Sequence, residues 1–286
     1  MKQYQDLIKD IFENGYETDD RTGTGTIALF GTKLRWDLTK GFPAVTTKKL
    51  AWNASIAELL WFISGSTNVN DLRLRTHGSL IQGKTIWDDN YENQAKDLGY
   101  HSGELGPIYG KQWRDFGGVD QLVETIDRIK KLPTDRRQIV SAWNPAEINQ
   151  MALPPCHMFY QFNVRNGYLD LQWYQRSVDV FLGLPFNIAS YAALTHIVAK
   201  MCNLIPGDLI FSGGNTHIYM NHTEQCKEIL RREPKELCEL KIDWPIEFGN
   251  CDTETQLYWL TEYMKPKDFI LENYESHPAI KGKMAI

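Results

Sequence analysis

Residues 151–177 decide the fold, and they read MALPPCHMFYQFNVRNGYLDLQWYQRS. Two runs rich in aromatic and branched side chains flank the dipeptide Asn166-Gly167. This dipeptide is the strongest short-range signal for a hairpin, because a type I′ turn needs positive φ at both central residues. Cross-strand partners then have numbers that sum to 333, which pairs Cys156 with Ser177. The stretch therefore predicts a hairpin with a thiol and a hydroxyl on one pocket wall.

The same pairing sets His157 opposite Arg176, and strict alternation directs Cys156 and Arg176 to opposite faces of the sheet. A free thiol with a pKa of about 8.5 is only a few per cent thiolate at neutral pH. An adjacent guanidinium would lower that pKa by roughly 1.5 units, which is worth about 2 kcal/mol. Because a nucleophilic Cys156 needs Arg176 beside it, we predict a bulge or kink in the hairpin.

The composition is that of a globular chain with a sizeable core, since 42% of its 286 residues are hydrophobic. A formal net charge of −5 argues against a general nucleic-acid or anionic-membrane binder. No apolar run approaches the roughly 18 residues that span a bilayer, and the N-terminus lacks a signal-peptide core. Five widely spaced cysteines without a CxxC pair fit neither a disulfide framework nor a zinc site. We therefore expect a metal-free cytoplasmic protein.

The hydrophobic pattern predicts an α+β chain. Helices are predicted over 3–14, 50–63, 119–129, 188–202 and 219–230. Strands are predicted over 27–30, 33–38, 138–143 and 208–211, with an interruption at Gly31 and a strand or two after Glu233. No stretch resembles a linker, so we predict one domain over residues 1–286, in which helices pack on a mixed, largely antiparallel, bulged sheet.

Four polar sites each admit two interpretations from the residues alone. The loop that follows Arg21, with its Gly and Thr residues, is an oxyanion site or a turn before a strand. Glu58, within a very apolar helix, faces water or lies at a cleft wall with a raised pKa. Arg136 and Arg137 cannot both face one anion from an extended segment, and a solvated charge pair is the ordinary outcome. Asn187 is a helix N-cap or a ligand contact.

Seven motifs together resemble the thymidylate synthase family. They occupy residues 21–26, 58–62, 106–113, 135–137, 155–157, 174–191 and 213–219. The longest, YQRSVDVFLGLPFNIASY at 174–191, is highly specific, and the resemblance extends to Ala285 and Ile286. It implies conversion of dUMP and 5,10-methylenetetrahydrofolate to dTMP and dihydrofolate. It also implies a homodimer with the sheet face as its interface, and no metal.

The resemblance implies a role for each motif residue. Cys156 would add to C6 of uracil, and Asn187 would read the uracil edge. Glu58 would transfer protons through water, and Tyr109 would help to deprotonate C5. The implied dUMP contacts are Arg21, Arg176, Ser177, Val178, Asp179, Asn187, His217, Ile218 and Tyr219, with Arg136 and Arg137 donated across the dimer. The implied folate contacts are Trp87, Asp179, Leu182, Gly183, Phe186 and Ala285, with Ile286 also part of the closing lid.

Some positions depart from the family pattern. Ala51 stands where many members have His, Asn90 where an aromatic residue is common, and Asn215 where Asp is common. Residues 69–85 and 91–105 look longer than in common bacterial members. These departures concern the folate side, whereas the implied nucleotide contacts are intact.

Three other functions compete. A deoxycytidylate hydroxymethylase would have Asp at position 187. A cysteine hydrolase would need a base near Cys156, for which His217 is open whereas His157 faces away. A non-enzymatic structural or RNA-binding role fits the acidic net charge poorly.

Overall fold

The computed structural model describes residues 1–20 and 22–284. The helices are α1 Lys2–Asn14, α2 Trp52–Ile63, α3 Val69–His77, α4 Asp88–Asn90, α5 Tyr109–Arg114, α6 Gln121–Lys131, α7 Gly183–Met201, α8 Thr223–Arg231 and α9 Thr253–Tyr258. The π-helical turns Tyr91–Ala95 and Trp259–Tyr263 continue α4 and α9. The strands are β1 Tyr16–Thr18, β2 Thr26–Asp37, β3 Ile139–Ser141, β4 His157–Arg165, β5 Tyr168–Asp179, β6 Ile205–Tyr219, β7 Glu239–Ile242 and β8 Phe269–Glu272.

Within the described residues, six strands form one sheet in the order β1-β2-β6-β5-β4-β3. Neighbours are antiparallel except β5 and β6, which are parallel. Parallel neighbours need a crossover, and the largely buried helix α7 provides it. The strands β7 and β8 form a separate antiparallel pair. The predicted α+β class with a mixed, largely antiparallel sheet is confirmed.

The hairpin turn forms as the dipeptide predicts. Asn166 and Gly167 have φ values of 49° and 81°, the positive pair that a type I′ turn requires. From this turn to the pair Phe159–Tyr174, partner numbers sum to 333. The turn chemistry therefore sets the register of most of the hairpin.

Beyond that point the register shifts by one residue at Met158. His157 pairs with Gln175, and the amide of Arg176 donates to the carbonyl oxygen of Cys156 at 2.8 Å. A bulge places one extra residue on one strand and reverses the alternation beyond it. The thiol and the guanidinium consequently share a face.

The predicted bulge is therefore confirmed, but two predicted pairs are wrong by one position. Cys156 lies opposite Arg176 rather than Ser177, and His157 is not opposite Arg176. The prediction gave every residue a cross-strand partner, whereas the bulge leaves Met158 without one in β5.

The irregularity continues into the neighbouring strands. The β2–β6 ladder skips Gly31 and Gly214 without changing its register, so β2 runs through the predicted interruption as one strand. In the β5–β6 ladder, Arg176 is the skipped residue, and it lies beside the same Gly214. A Cβ on Gly214 would lie 2.9 Å from the carbonyl oxygen of Arg176, so a side chain there would force the strands apart.

Several predicted boundaries are corrected. Helix α7 begins at Gly183, which leaves Asn187 a turn inside it, so the N-cap interpretation is wrong. Strand β6 is 15 residues long and ends at Tyr219, which was predicted to belong to the last helix. Helices α3, α4 and α5, and α9 after residue 233, were not among the predicted helices. Among the described residues, no helix is long and apolar enough to cross a membrane.

Candidate active site

A cavity of about 710 Å³ opens beside the bulge. Among the residues that the structure describes, its wall contains five of the predicted site residues: Cys156, Arg176, Ser177, His217 and Tyr219. The first three come from the distorted end of the hairpin, and the other two from the end of β6. The sheet therefore gathers residues that are up to 63 positions apart in sequence.

The thiol of Cys156 lies 4.0 Å from Nη2 of Arg176. The guanidinium is held in place because Nε and Nη2 donate to the carbonyl oxygens of Pro155 and Pro154, both at 2.8 Å. Burial raises the pKa of Cys156, and the positive charge of Arg176 opposes that rise. The predicted lowering of the thiol pKa is therefore wrong for this state of the site, because the loss of water outweighs one guanidinium.

Tyr109 contacts the main chain of the same cysteine. Its hydroxyl accepts a hydrogen bond from the amide of Cys156 at 2.7 Å. Its ring packs against both Phe62 and His157, with centroid distances of 4.8 and 4.3 Å. Burial raises the pKa of Tyr109 well above its ordinary value. The phenol therefore stays neutral and keeps its own proton to donate.

His157 is engaged away from the thiol. Its Nδ1 lies 2.8 Å from the hydroxyl of Tyr191, and burial lowers the pKa of His157 to about 3. The imidazole thus stays neutral at physiological pH, which agrees with the expectation that it is not the base for Cys156.

Glu58 lines a separate small cavity and not the larger one beside the thiol. Its Oε1 accepts a hydrogen bond from Nε1 of Trp87 at 2.6 Å. Burial raises the pKa of Glu58 to about 7, although the bond from Trp87 acts in the opposite direction. The alternative in which Glu58 faces water is therefore wrong. A group that titrates near neutrality can both give and take a proton.

Asn187 meets Glu58 at a small cavity of about 10 Å³. That volume is close to the smallest that holds one water molecule. Oδ1 of Asn187 accepts from Nε2 of Gln175 at 3.1 Å, and the same Nε2 donates to the carbonyl oxygen of Ser177 at 3.1 Å. Gln175 therefore orients the amide of Asn187, a role that sequence reasoning missed.

Comparison with known proteins adds an independent result. The model of the family described as thymidylate synthase matches residues 2–286. The chain belongs to the thymidylate synthase family. It is therefore an enzyme, a methyltransferase of the family that converts dUMP to dTMP.

Individual relatives agree with this assignment. The chain is 84% identical to the thymidylate synthase of Enterobacteria phage T4 and 52% identical to the probable thymidylate synthase of Escherichia phage T5. Both matches cover 100% of each chain. The crystal structure of the phage T4 thymidylate synthase matches with a TM-score of 0.96, at 84% identity and over 100% of both chains.

Further family positions lie along the β5–β6 junction. Asp179 pairs with His217 in the parallel ladder, and Oδ1 of Asp179 accepts from the amides of Phe181 and Leu182, both at 2.9 Å. Nδ1 of His217 lies 2.8 Å from Oδ1 of Asn215, and burial lowers the pKa of His217. Both side chains are thus held in fixed orientations, and that of His217 lines the cavity.

Other implied nucleotide contacts do not present side chains to the cavity. Val178 and Ile218 are fully buried, so only their main chains could reach a ligand. Arg136 and Arg137 are exposed and do not line the cavity. The guanidinium of Arg137 pairs with Asp135 at 3.0 Å and holds the pKa of that carboxyl well below its usual range.

The implied folate contacts occupy two places. Leu182, Gly183 and Phe186 are partly exposed at the start of α7, and Trp87 is 4% exposed beside Glu58. The sites predicted at Arg21, Ala285 and Ile286 lie outside the described residues. Within residues 1–20 and 22–284, no group of three His, Cys, Asp or Glu side chains could hold a metal ion.

Asp20 is a further residue that sequence reasoning missed. Its Oδ2 accepts from the amide of Thr22 at 2.8 Å and from the hydroxyl of Thr22 at 2.5 Å, and Oδ1 accepts from the amide of Gly25 at 2.7 Å. These bonds shape the loop at the cavity mouth. An Asp two residues before Thr is a recognisable turn signal that could have identified it.

Proposed function

We propose that the chain methylates dUMP to dTMP with 5,10-methylenetetrahydrofolate, through a covalent bond between Cys156 and C6 of uracil. The observation that carries this proposal is the thiol 4.0 Å from the guanidinium of Arg176 in a cavity shared with Ser177. The folate supplies both the one-carbon unit and the hydride, and it leaves as dihydrofolate. Family membership supports this donor.

The covalent step uses the charge beside the thiol. Arg176 favours the thiolate, whose sulfur adds to C6 while the thiol proton passes to water. The C5–C6 π electrons move to O4, where an N–H of Asn187 stabilises the negative charge. C5 becomes the nucleophile that takes the methylene group from the folate. Once the folate hydride has reduced that group, the C6–S bond breaks, the C5–C6 double bond forms again, and dTMP and the thiolate of Cys156 are released.

Proton transfer follows from Glu58. With a pKa of about 7, this side chain is present in both protonation states near neutral pH. We propose that it serves O4 and the exocyclic carbon through a water molecule, for which the adjoining small cavity has about the right volume. The proton at C5 would pass to a water molecule that the neutral hydroxyl of Tyr109 orients, since a phenol that keeps its own proton cannot take up another.

The nucleotide phosphate would bind at the distorted end of the hairpin. We propose that Arg176 and Ser177 hold it together with Arg21, each charge-assisted hydrogen bond being worth about 1.5–3 kcal/mol. Arg136 and Arg137 would reach it from the partner subunit of a homodimer, since both are exposed and lie outside this cavity.

The remaining contacts complete the two ligands. We propose that His217 and Tyr219 bind the ribose hydroxyl and that Val178 and Ile218 contribute main-chain groups. For the folate, we propose the list Trp87, Asp179, Leu182, Gly183 and Phe186, with Ala285 and Ile286 closing over the site. A single domain over residues 1–286 and a cytoplasmic location also remain predictions.

A spectrophotometric assay tests the proposed reaction. Dihydrofolate should form when the protein receives dUMP and methylenetetrahydrofolate together, and not when either is omitted. Tritium should be released from [5-³H]dUMP, which a cysteine hydrolase would not do. Dihydrofolate formation without dUMP, or no tritium release, would contradict the proposal.

Asn187→Asp is expected to shift preference from dUMP toward dCMP. The amide offers an N–H to O4 and an oxygen to N3–H of uracil, whereas a carboxylate suits the opposite edge of cytosine. We expect the ratio of kcat/KM for dUMP to that for dCMP to fall by about 10²-fold or more. The matched control is Asn215→Asp, the same chemical change on the wall of the larger cavity, which should keep the ratio. Unchanged selectivity in Asn187→Asp would contradict the proposal that Asn187 recognises the uracil edge.

Mixed dimers test the donation of Arg136 and Arg137. Cys156→Ala homodimers and Arg136→Ala/Arg137→Ala homodimers should each be inactive. After subunit exchange, the hybrid dimer holds one intact site, so about a quarter of wild-type activity should return. Cys156→Ala mixed with Ser177→Ala is the control, because no hybrid site is then intact. No recovery in the first mixture, despite demonstrated exchange, would rule out donation across the dimer.

A further inference from the structure

Asp88 follows Trp87 in sequence and is only 1% exposed, and both of its carboxylate oxygens accept hydrogen bonds. Oδ1 accepts from Nε of Arg73 at 2.7 Å and from Nη2 of the same guanidinium. Oδ2 accepts from the amide of Thr85 at 2.5 Å and from its hydroxyl at 2.8 Å. Burial alone would raise the pKa of Asp88, but these bonds hold it below its ordinary value. The carboxylate is therefore a charged centre that binds two separate segments.

These contacts join α3 to the main chain of Trp87. Nη1 of Arg73 donates to Oδ1 of Asn70 at 2.9 Å, which fixes the guanidinium on its own helix. The hydroxyl of Thr85 donates to Asp88 and accepts from the amide of Trp87 at 3.3 Å. A single hydroxyl group, that of Thr85, therefore bonds both to the carboxylate of Asp88 and to the amide of Trp87.

Trp87 itself lies against the acid of the site. Its indole Nε1 donates to Oε1 of Glu58 at 2.6 Å, and its ring meets Trp61 and Tyr109 edge-on at 5.4 and 5.9 Å. A third ring, that of Phe62, also meets the indole edge-on, at 6.2 Å, whereas the amide of Trp87 is held by the hydroxyl of Thr85. The hydrogen bond to Glu58, at 2.6 Å, tolerates little drift.

We propose that Arg73, Thr85 and Asp88 form a clamp that positions Trp87 to hydrogen-bond Glu58. None of the three lines the cavity, so they are positioning residues. Arg73 and Thr85 belong to residues 69–85, and the clamp gives that longer segment a function in catalysis. The inference rests on the proton-transfer role proposed for Glu58.

Two variants test the clamp through the pH dependence of the reaction. Thr85→Val and Arg73→Gln should each lower kcat by about tenfold and leave KM for dUMP unchanged. The apparent pKa near 7 in the kcat profile should move up by about one unit, because a displaced indole no longer offsets the burial of Glu58. Thr85→Ser keeps the hydroxyl and should restore both values. A purely structural role would change thermal stability and active fraction without moving this pKa.

A double-mutant cycle identifies the route of the effect. In Trp87→Phe, which lacks the indole N–H, Arg73→Gln should cause no further shift in the profile. Arg75→Gln is the matched control: this residue lies on the same helix but donates to the carbonyl oxygen of Thr261 at 2.5 Å. Additive shifts in the double mutant, or an equal shift in Arg75→Gln, would overturn the clamp.

The wild-type protein separates the two proposals. Absence of tritium release from [5-³H]dUMP would refute the proposed function. Normal wild-type activity, with Thr85→Val profiles that coincide with those of the wild type, would refute the clamp alone. If Arg73→Gln does not fold, the Thr85→Val and Thr85→Ser pair still decides the question.

Discussion

Cys156→Ala is expected to abolish dihydrofolate formation, with kcat reduced by about 10⁴-fold or more. Without the sulfur, no bond can form at C6, so C5 never gains the electron density that it needs to attack the folate. Arg176 keeps its bonds to the carbonyl oxygens of Pro154 and Pro155 in this variant, so the anion site should persist.

The measurement has two parts, turnover by absorbance and dUMP affinity by equilibrium titration. Loss of turnover with dUMP affinity within about threefold of wild type would identify the thiol as the nucleophile. Cys202→Ala is the matched control, because that partly buried thiol contacts only the carbonyl oxygen of Ile126, at 3.9 Å, among the bonds described. Turnover by Cys156→Ala within tenfold of the control would disprove covalent catalysis at this position.

Glu58→Gln is expected to lower kcat by about 10²–10⁴-fold, the range for removal of a general acid or base. Glutamine keeps an oxygen for the indole of Trp87, so the loss concerns the proton rather than the packing. The pKa of Glu58 is raised to about 7, so the wild-type side chain is neutral below that pH and ionised above it. The kcat profile of the wild type should therefore inflect near pH 7, and the inflection should disappear in the variant.

Profiles recorded from about pH 5 to pH 9 would test this expectation. Glu92→Gln is a suitable control, because that carboxylate is half exposed and pairs with Lys96 on the surface. Its profile should match that of the wild type. An inflection near pH 7 that survives in Glu58→Gln would assign the titration to another group.

Much of the hairpin could be predicted because its determinants are local. Asn166 and Gly167 define the turn, and the turn defines the pairing as far as Phe159. The bulge could be inferred from chemistry, since the thiol and Arg176 had to share a face. Which of the two strands carries the extra residue could not be predicted, because either strand of a hairpin can contain a bulge.

The features that could not be predicted depend on distant contacts. The start of α7 is displaced from Asn187 because Asp179 engages the amides of Phe181 and Leu182 just before the helix. The pKa of Cys156 depends on how much water the folded chain excludes, which residue order does not reveal. The link from Arg73 to Asp88 joins two segments whose approach only the folded chain shows.

Because the register shifts by one residue at Met158, the number of residues in β4 determines which side chains form the active site. Side chains alternate along a strand, so the number of residues between the turn and the thiol decides which group faces the nucleotide. With one residue more in β4, the imidazole of His157 would be carried into the place of the sulfur, although no existing side chain had changed. For this site, an insertion or deletion in the hairpin is therefore a more severe kind of evolutionary change than most substitutions.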